Sequence, residues 1–208
     1  MTATNSSGST LASTQVIVAS SSGPAIPVNP NLHLPPFTLI TTAYDFMARA
    51  STASWGSGAG TLTFPGSQAD SNGFALLLNN ATLEDNVVQT QVLETHPQWV
   101  TGGTIWGLYS EMFTTYKVQS TDHFYAKVGL LKGATAGNVR FRAMIRTETS
   151  GNIWIADVAK TYNGSLTTID VPLSAYAGQK ADFILRVEAN TANAGQCWAV
   201  WVNPKITR

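Results

Sequence analysis

The residues able to do acid–base or nucleophilic chemistry are few and scattered. Histidine occurs only at His33, His96 and His123. His123 follows Asp122, but neighbours along a strand point to opposite faces, so the dipeptide does not make an acid–base pair. No Gly-x-Ser-x-Gly, His-Glu-x-x-His, P-loop or Cys-x-x-Cys spacing is present. Glycoside hydrolysis needs two carboxylates about 5–10 Å apart. Glu84, Asp85, Glu94, Glu111 and Glu148 supply carboxylates with no spacing that pairs them, and they read as solvated surface groups. The expectation is a chain with no catalytic residues.

Metal binding finds little more. Gln68, Asp70, Asn72 and Gly73 resemble the start of a calcium loop, but no glutamate closes it at the required distance. Asx-turn chemistry explains the same residues without an ion. No metal and no cofactor is expected.

Aromatic side chains are the better supplied chemistry. The chain has six Trp and six Tyr. Sugar rings carry CH-rich faces that stack on exposed indole and phenol rings, with nearby carboxylates and amides taking the hydroxyls. Trp99, Trp106, Tyr109 and Tyr116 cluster among glycines and polar residues, and Trp154 lies on a strand near Asp157. We take Trp99, Trp106, Tyr109, Trp154 and Asp157 as candidate ligand-binding residues. The competing reading makes Trp55, Trp106 and Trp201 core anchors, since aromatics dominate sandwich cores. Trp198 and Trp201 have opposite parity, so at most one of them faces the core. Arg140, Arg142 and Arg146 project from one strand face, either as a solvated face blunting an edge or as a site for an anion.

Those residues need strands to position them. From Phe37 onward, short apolar runs alternate with Gly, Asn and Asp turns. The runs are Phe37–Ile40, Tyr44–Ala48, Thr61–Phe64, Phe74–Leu78, Ile105–Tyr109 and Tyr116–Val118, with a glycine-rich loop at 55–60. Alternation is cleaner in Phe124–Leu130 and Val139–Arg146, and Ile153–Val158, Ile169–Leu173, Phe183–Val187 and Trp198–Val202 complete the set. No segment carries a 3.6-residue period. This predicts about ten strands and an all-β, jelly-roll-like antiparallel β-sandwich over residues 37–208.

Residues 1–36 differ. Ser, Thr and Ala dominate, followed by Pro24, Pro27, Pro30, Pro35 and Pro36, a composition that favours extended chain. This N-terminal arm contains a short β-prone run over 14–19. Its Thr14, Val16, Ile17 and Val18 are candidate assembly residues if the run adds as a strand to another copy. The start lacks the basic and continuous apolar regions of a signal peptide.

Composition bounds the partners. The 208 residues are 44% hydrophobic and 12% charged, with 12 basic and 12 acidic side chains cancelling. That balance gives no electrostatic footprint for nucleic acid. The apolar tract Phe74–Leu78 is far too short to span a bilayer. A single cysteine, Cys197, rules out an intrachain disulfide. Asn5, Asn80 and Asn163 stand in glycosylation sequons.

A series of short pieces has an order that resembles a known group. They are Tyr44-Asp-Phe; Ala53-Ser-Trp55 with Pro65-Gly66; Asn72-Gly-Phe74; Leu93-Glu-Thr-His-Pro97; and Val118-Gln-Ser-Thr-Asp-His-Phe124. Val128-Gly129 with Gly133-Ala-Thr135, Val171-Pro-Leu-Ser174 with Ala177-Gly178, and Ala199-Val-Trp-Val-Asn-Pro-Lys-Ile206 follow. Over residues 44–206 the chain resembles cell-surface jelly-roll-like domains of Chloroflexi-type bacteria. The resemblance implies an extracellular or surface location, a shape like carbohydrate-binding modules and no established activity. It also implies two cysteine pairs, whose matching positions here are Ser51 with Phe64 and Leu130 with Gly137, so both are absent. Two functions are therefore expected as alternatives: a glycan-binding surface module, or a structural subunit of a filament, sheath or virion surface whose partners are other copies of itself.

Overall fold

The computed structural model describes residues 40–208. The arm, including Thr14, Val16, Ile17 and Val18, lies outside the described residues.

Twelve strands form two antiparallel sheets. The first sheet contains β1 (Thr42–Asp45), β4 (Phe74–Thr82), β5 (Val88–His96), β7 (His123–Leu130), β10 (Thr167–Pro172) and β12 (Ala199–Thr207), in the order β10-β7-β12-β5-β4 with β1 on the far end of β12. The second contains β2 (Ser54–Ser57), β3 (Gly60–Leu62), β6 (Thr104–Tyr109), β8 (Asn138–Thr147), β9 (Ile153–Thr161) and β11 (Ala181–Ala189), in the order β3-β2-β6-β11-β8-β9. The expected all-β antiparallel sandwich is the fold observed.

Alternation puts the apolar residues inside. Phe124, Ala126, Val128 and Leu130 of β7 face Val139, Phe141, Ala143 and Ile145 of β8, all fully buried. Phe183, Leu185 and Val187 of β11 complete the layer. Aromatic edges pack in this core: Trp201 meets Phe141 at 5.0 Å and Phe46 meets Tyr109 at 4.9 Å, both nearly perpendicular. Burying each such side chain contributes roughly 1.5–3 kcal/mol.

Four local readings differ from the structure, the first being the Tyr44–Ala48 run, whose strand ends at Asp45 and gives way to a turn over 46–50. Residues 116–118, read as a strand, instead follow a single helical turn, α1 (Met112–Thr115), and make one isolated bridge from Lys117 to Lys180. Tyr116 and Val118 are buried as a strand would require, which is why the pattern misled. The glycine-rich 55–60 segment is the β2–β3 hairpin rather than a loop. Strand β5 carries Gln89, Thr90 and Gln91 and has no apolar run in its first half, so composition hid it.

Carboxylates expected at the surface are partly buried. Glu84 is 2% exposed; it accepts hydrogen bonds from Leu130 N–H, Asn163 N–H, Gly164 N–H and the buried Lys160 ammonium. This knot ties the β9–β10 turn over a small second core of Leu83, Val92, Val200 and Val202 on the outer side of the first sheet. Glu94 is 1% exposed on that same side.

Candidate functional site

The outer face of the second sheet gathers three of the five candidate ligand-binding residues. In register across it run Gly56 on β2, Trp106 on β6, Arg186 on β11, Arg142 on β8 and Asp157 on β9. Trp106 is half-buried, and a Cβ at Gly56 would sit 2.3 Å from its six-membered ring. The indole therefore lies flat on the backbone of β2. Its mirror image is on the inner face, where Trp55 lies on Gly107. Of the competing core assignments, Trp55 and Trp201 are core residues and Trp106 is not.

Trp154 is 44% exposed. The Arg142 guanidinium sits 4.9 Å from its ring centre and that of Arg186 6.0 Å away. Stacking on cations fixes the indole without consuming its other face. Arg142 and Arg186 stand opposite each other and share Glu188 Oε2, at 2.9 and 3.5 Å. Among the described residues neither buried Nε–H makes a well-aligned hydrogen bond, although Arg142 Nε lies 3.4 Å from Asp157 Oδ2. Asp157 accepts from Arg140, whose guanidinium holds its carboxyl below the usual carboxylate range against a small opposing effect of burial. Between the two indoles lies a strip of fixed donors and acceptors. The two tryptophan-bearing strands are three strand spacings apart, about 14 Å.

All three arginines of the sequence row have carboxylate partners. Arg146 binds the buried Asp182, Arg142 binds Glu188 and Arg140 binds Asp157. Lone cations are thus not what this face offers.

The other two candidates lie elsewhere. Tyr109 is fully buried, with its ring edges on Phe46 and Trp55, so it is a core residue and presents nothing to a ligand. Its place on β6 explains this: Ile105, Gly107 and Tyr109 point inward and Trp106 outward. Trp99 is 43% exposed in the loop after β5 and lines a pocket of about 360 Å³ on the outer side of the first sheet, across the sandwich from Trp106. Glu94, His96 and Trp198 join it there. Sequence reasoning missed that pocket because Glu94 read as a surface carboxylate. The Leu93-Glu-Thr-His-Pro97 run, in which Glu94 and His96 share one face of β5, is the signal that could have located it.

Asp122 and His123 do not pair with each other. Asp122 is buried and accepts from Tyr116 and Arg208, while His123 is exposed against Asp170 at 2.7 Å. In the 68–73 turn, Asp70 accepts from Asn72 N–H as an Asx turn, and Gln68 donates to Glu94. Among the described residues no group of three or more His, Cys, Asp or Glu could hold a metal ion.

No family model matches the sequence, and no curated protein matches it. Solved structures similar to the chain include the CBM51 domain of Clostridium perfringens GH95 in complex with methyl-galactose, at TM-score 0.44 and 16% identity, over 66% of this chain and 90% of that one. The tandem CBM22-1-CBM22-2 domain of Paenibacillus barcinonensis Xyn10C aligns at TM-score 0.45 and 12% identity, over 80% of this chain and 45% of that one. TmCBM61 in complex with β-1,4-galactotriose aligns at TM-score 0.45 and 6% identity, over 74% and 88%. All three are named as CBM modules, and a further similar structure, at TM-score 0.45 and 13% identity over 80% of this chain and 61% of that one, is described as one of the carbohydrate-binding modules from the β-sandwich superfamily. At these scores nothing about the ligand of this chain follows from them.

Proposed function

We propose that this chain is a non-catalytic glycan-binding module that takes an extended saccharide chain across the outer face of the β6–β11–β8–β9 strands. The observation that carries the reading is the pair of tryptophans on one face, each immobilised from beneath. Gly56 seats Trp106 and the Arg142 guanidinium seats Trp154. A ring held flat before binding loses little side-chain freedom when a sugar stacks on it, and such preorganisation raises affinity. Arg140, Arg186, Asp157 and Glu188 line the strip between them, where they take the hydroxyls of the intervening sugars.

Binding to immobilised polysaccharides, followed by gel retardation or titration calorimetry, tests the reading. The parent chain binds at least one polysaccharide, and Trp154→Ala weakens binding at least tenfold while the fold survives. Equal retardation of the parent and Trp154→Ala on every polysaccharide it binds would contradict it. The alternative of a self-assembling subunit rests on Thr14, Val16, Ile17 and Val18, which lie outside the described residues, and no described contact favours it.

A further inference from the structure

The pocket beside Trp99 has a different character from the tryptophan face. Phe74 stacks on His96 at 5.1 Å and 22°, and Trp99 leans on the same imidazole at 5.4 Å. Trp198 lines it as well, held by its Nε1–H donating to Gly195 C=O at 3.0 Å. Aromatic rings therefore wall the space.

The polar groups of the pocket are nearly all acceptors. His96 Nδ1 lies 2.7 Å from Pro97 C=O, so that nitrogen carries the proton and donates. Nε2 is sealed from solvent and makes no well-aligned hydrogen bond among the described residues, and the Gly195 carbonyl also lies against the ring. Burial holds the imidazole below its ordinary pKa, which keeps it neutral. Glu94 is 1% exposed, and its one hydrogen bond among the described residues comes from Gln68 Nε2 at 3.0 Å. Among the described residues no lysine or arginine lines the pocket, and Glu94 and His96 are its titratable groups. A buried carboxyl without a cation is unfavourable, and a buried acceptor without a donor costs about 1–3 kcal/mol. The Glu94 deficit is met by one kind of ligand, a cation that brings several N–H donors and sits among aromatic faces.

We propose that this pocket is a second binding site, which takes the protonated primary amine of an amino sugar. The amine donates to Glu94, and the indoles of Trp99 and Trp198 flank the ring that carries it. That the amine is borne on a sugar rests on the glycan-binding reading; the preference for an amine rests on the pocket alone. The site lies on the opposite side of the sandwich from Trp154, so the two can be tested separately.

The test is titration calorimetry of the full chain near neutral pH with three probes of matched length: a glucosamine tetramer, an N-acetylglucosamine tetramer and cellotetraose. The glucosamine tetramer binds at least about tenfold tighter than either of the others, about 1.4 kcal/mol. Glu94→Gln, which preserves shape and removes the charge, abolishes that preference, and Asp170→Asn, at an exposed carboxylate outside both sites, leaves it intact. Three equal affinities, no binding of the glucosamine tetramer, or a preference that survives Glu94→Gln would each overturn the proposal. None of those results touches the tryptophan face, which stands or falls with Trp154→Ala.

Discussion

Trp106 lies flat on Gly56, its cross-strand partner, and a single methyl group at position 56 would meet the indole at 2.3 Å. The next pair along the same two strands, Trp55 and Gly107, repeats the contact on the inner face at 2.6 Å. One hairpin-to-strand pairing thus seats one tryptophan in the core and another on the surface.

Substituting the two glycines separates these roles. Gly56→Ala lifts the Trp106 ring off the sheet, where it can move into solvent. We expect it to weaken polysaccharide binding about tenfold, with a loss of stability near 1 kcal/mol. Gly107→Ala pushes on Trp55, which has no free space, and costs about 2–3 kcal/mol with a smaller effect on affinity. Thermal unfolding and binding measured on the same two proteins check the crossover.

Glu94 sets one pH dependence of stability. Burial raises its pKa to about 7, with the Gln68 hydrogen bond opposing. Between the unfolded value near 4.5 and this folded value, the native state holds a proton that the unfolded state has lost. Stability therefore falls as pH rises through that window and levels off above it. Glu94→Gln removes the slope. The variant matches the parent near pH 4 and exceeds it by roughly 2–3 kcal/mol above neutrality. Chemical denaturation across pH reads this directly, and a variant less stable than the parent at pH 8 would exclude the buried acid as its cause.

Asp122 works in the opposite sense. Burial pushes its pKa up, but hydrogen bonds from Arg208, Tyr116 and the Gln119 N–H outweigh that and hold it below the ordinary value. Its stabilisation is complete above the unfolded pKa and is lost as pH falls through the folded one. Asp122→Asn strips two partners from a fully buried group and costs about 3 kcal/mol at neutral pH. Its penalty shrinks in acid, where the parent loses the same contacts, and unfolding at two pH values shows it.

The sequence carried the second half of the fold well, because β7, β8 and β11 alternate cleanly between buried and exposed residues. It carried β5 poorly, since polar residues fill the first half of that strand. Trp154 and Asp157 have opposite parity, so alternation alone turns only one of them outward; the register shift between Ala143 and Met144 in the β8–β9 pairing is what alternation does not show. Trp106 and Tyr109 were not separable, because their register depends on where β6 begins. The Glu94–His96 pocket needed the three-dimensional pairing of β4 with β5, which places Phe74 beside His96. No local pattern encodes that neighbour.

The central claim is that Trp154, seated on Arg142, is a sugar-stacking platform. Gel retardation of the parent and of Trp154→Ala on a panel of soluble polysaccharides measures it most directly. The account predicts that at least one polysaccharide slows the parent, and that Trp154→Ala loses nine-tenths or more of that affinity with an unchanged unfolding midpoint. A parent retarded by no polysaccharide, or a Trp154→Ala protein retarded as strongly as the parent, would contradict it.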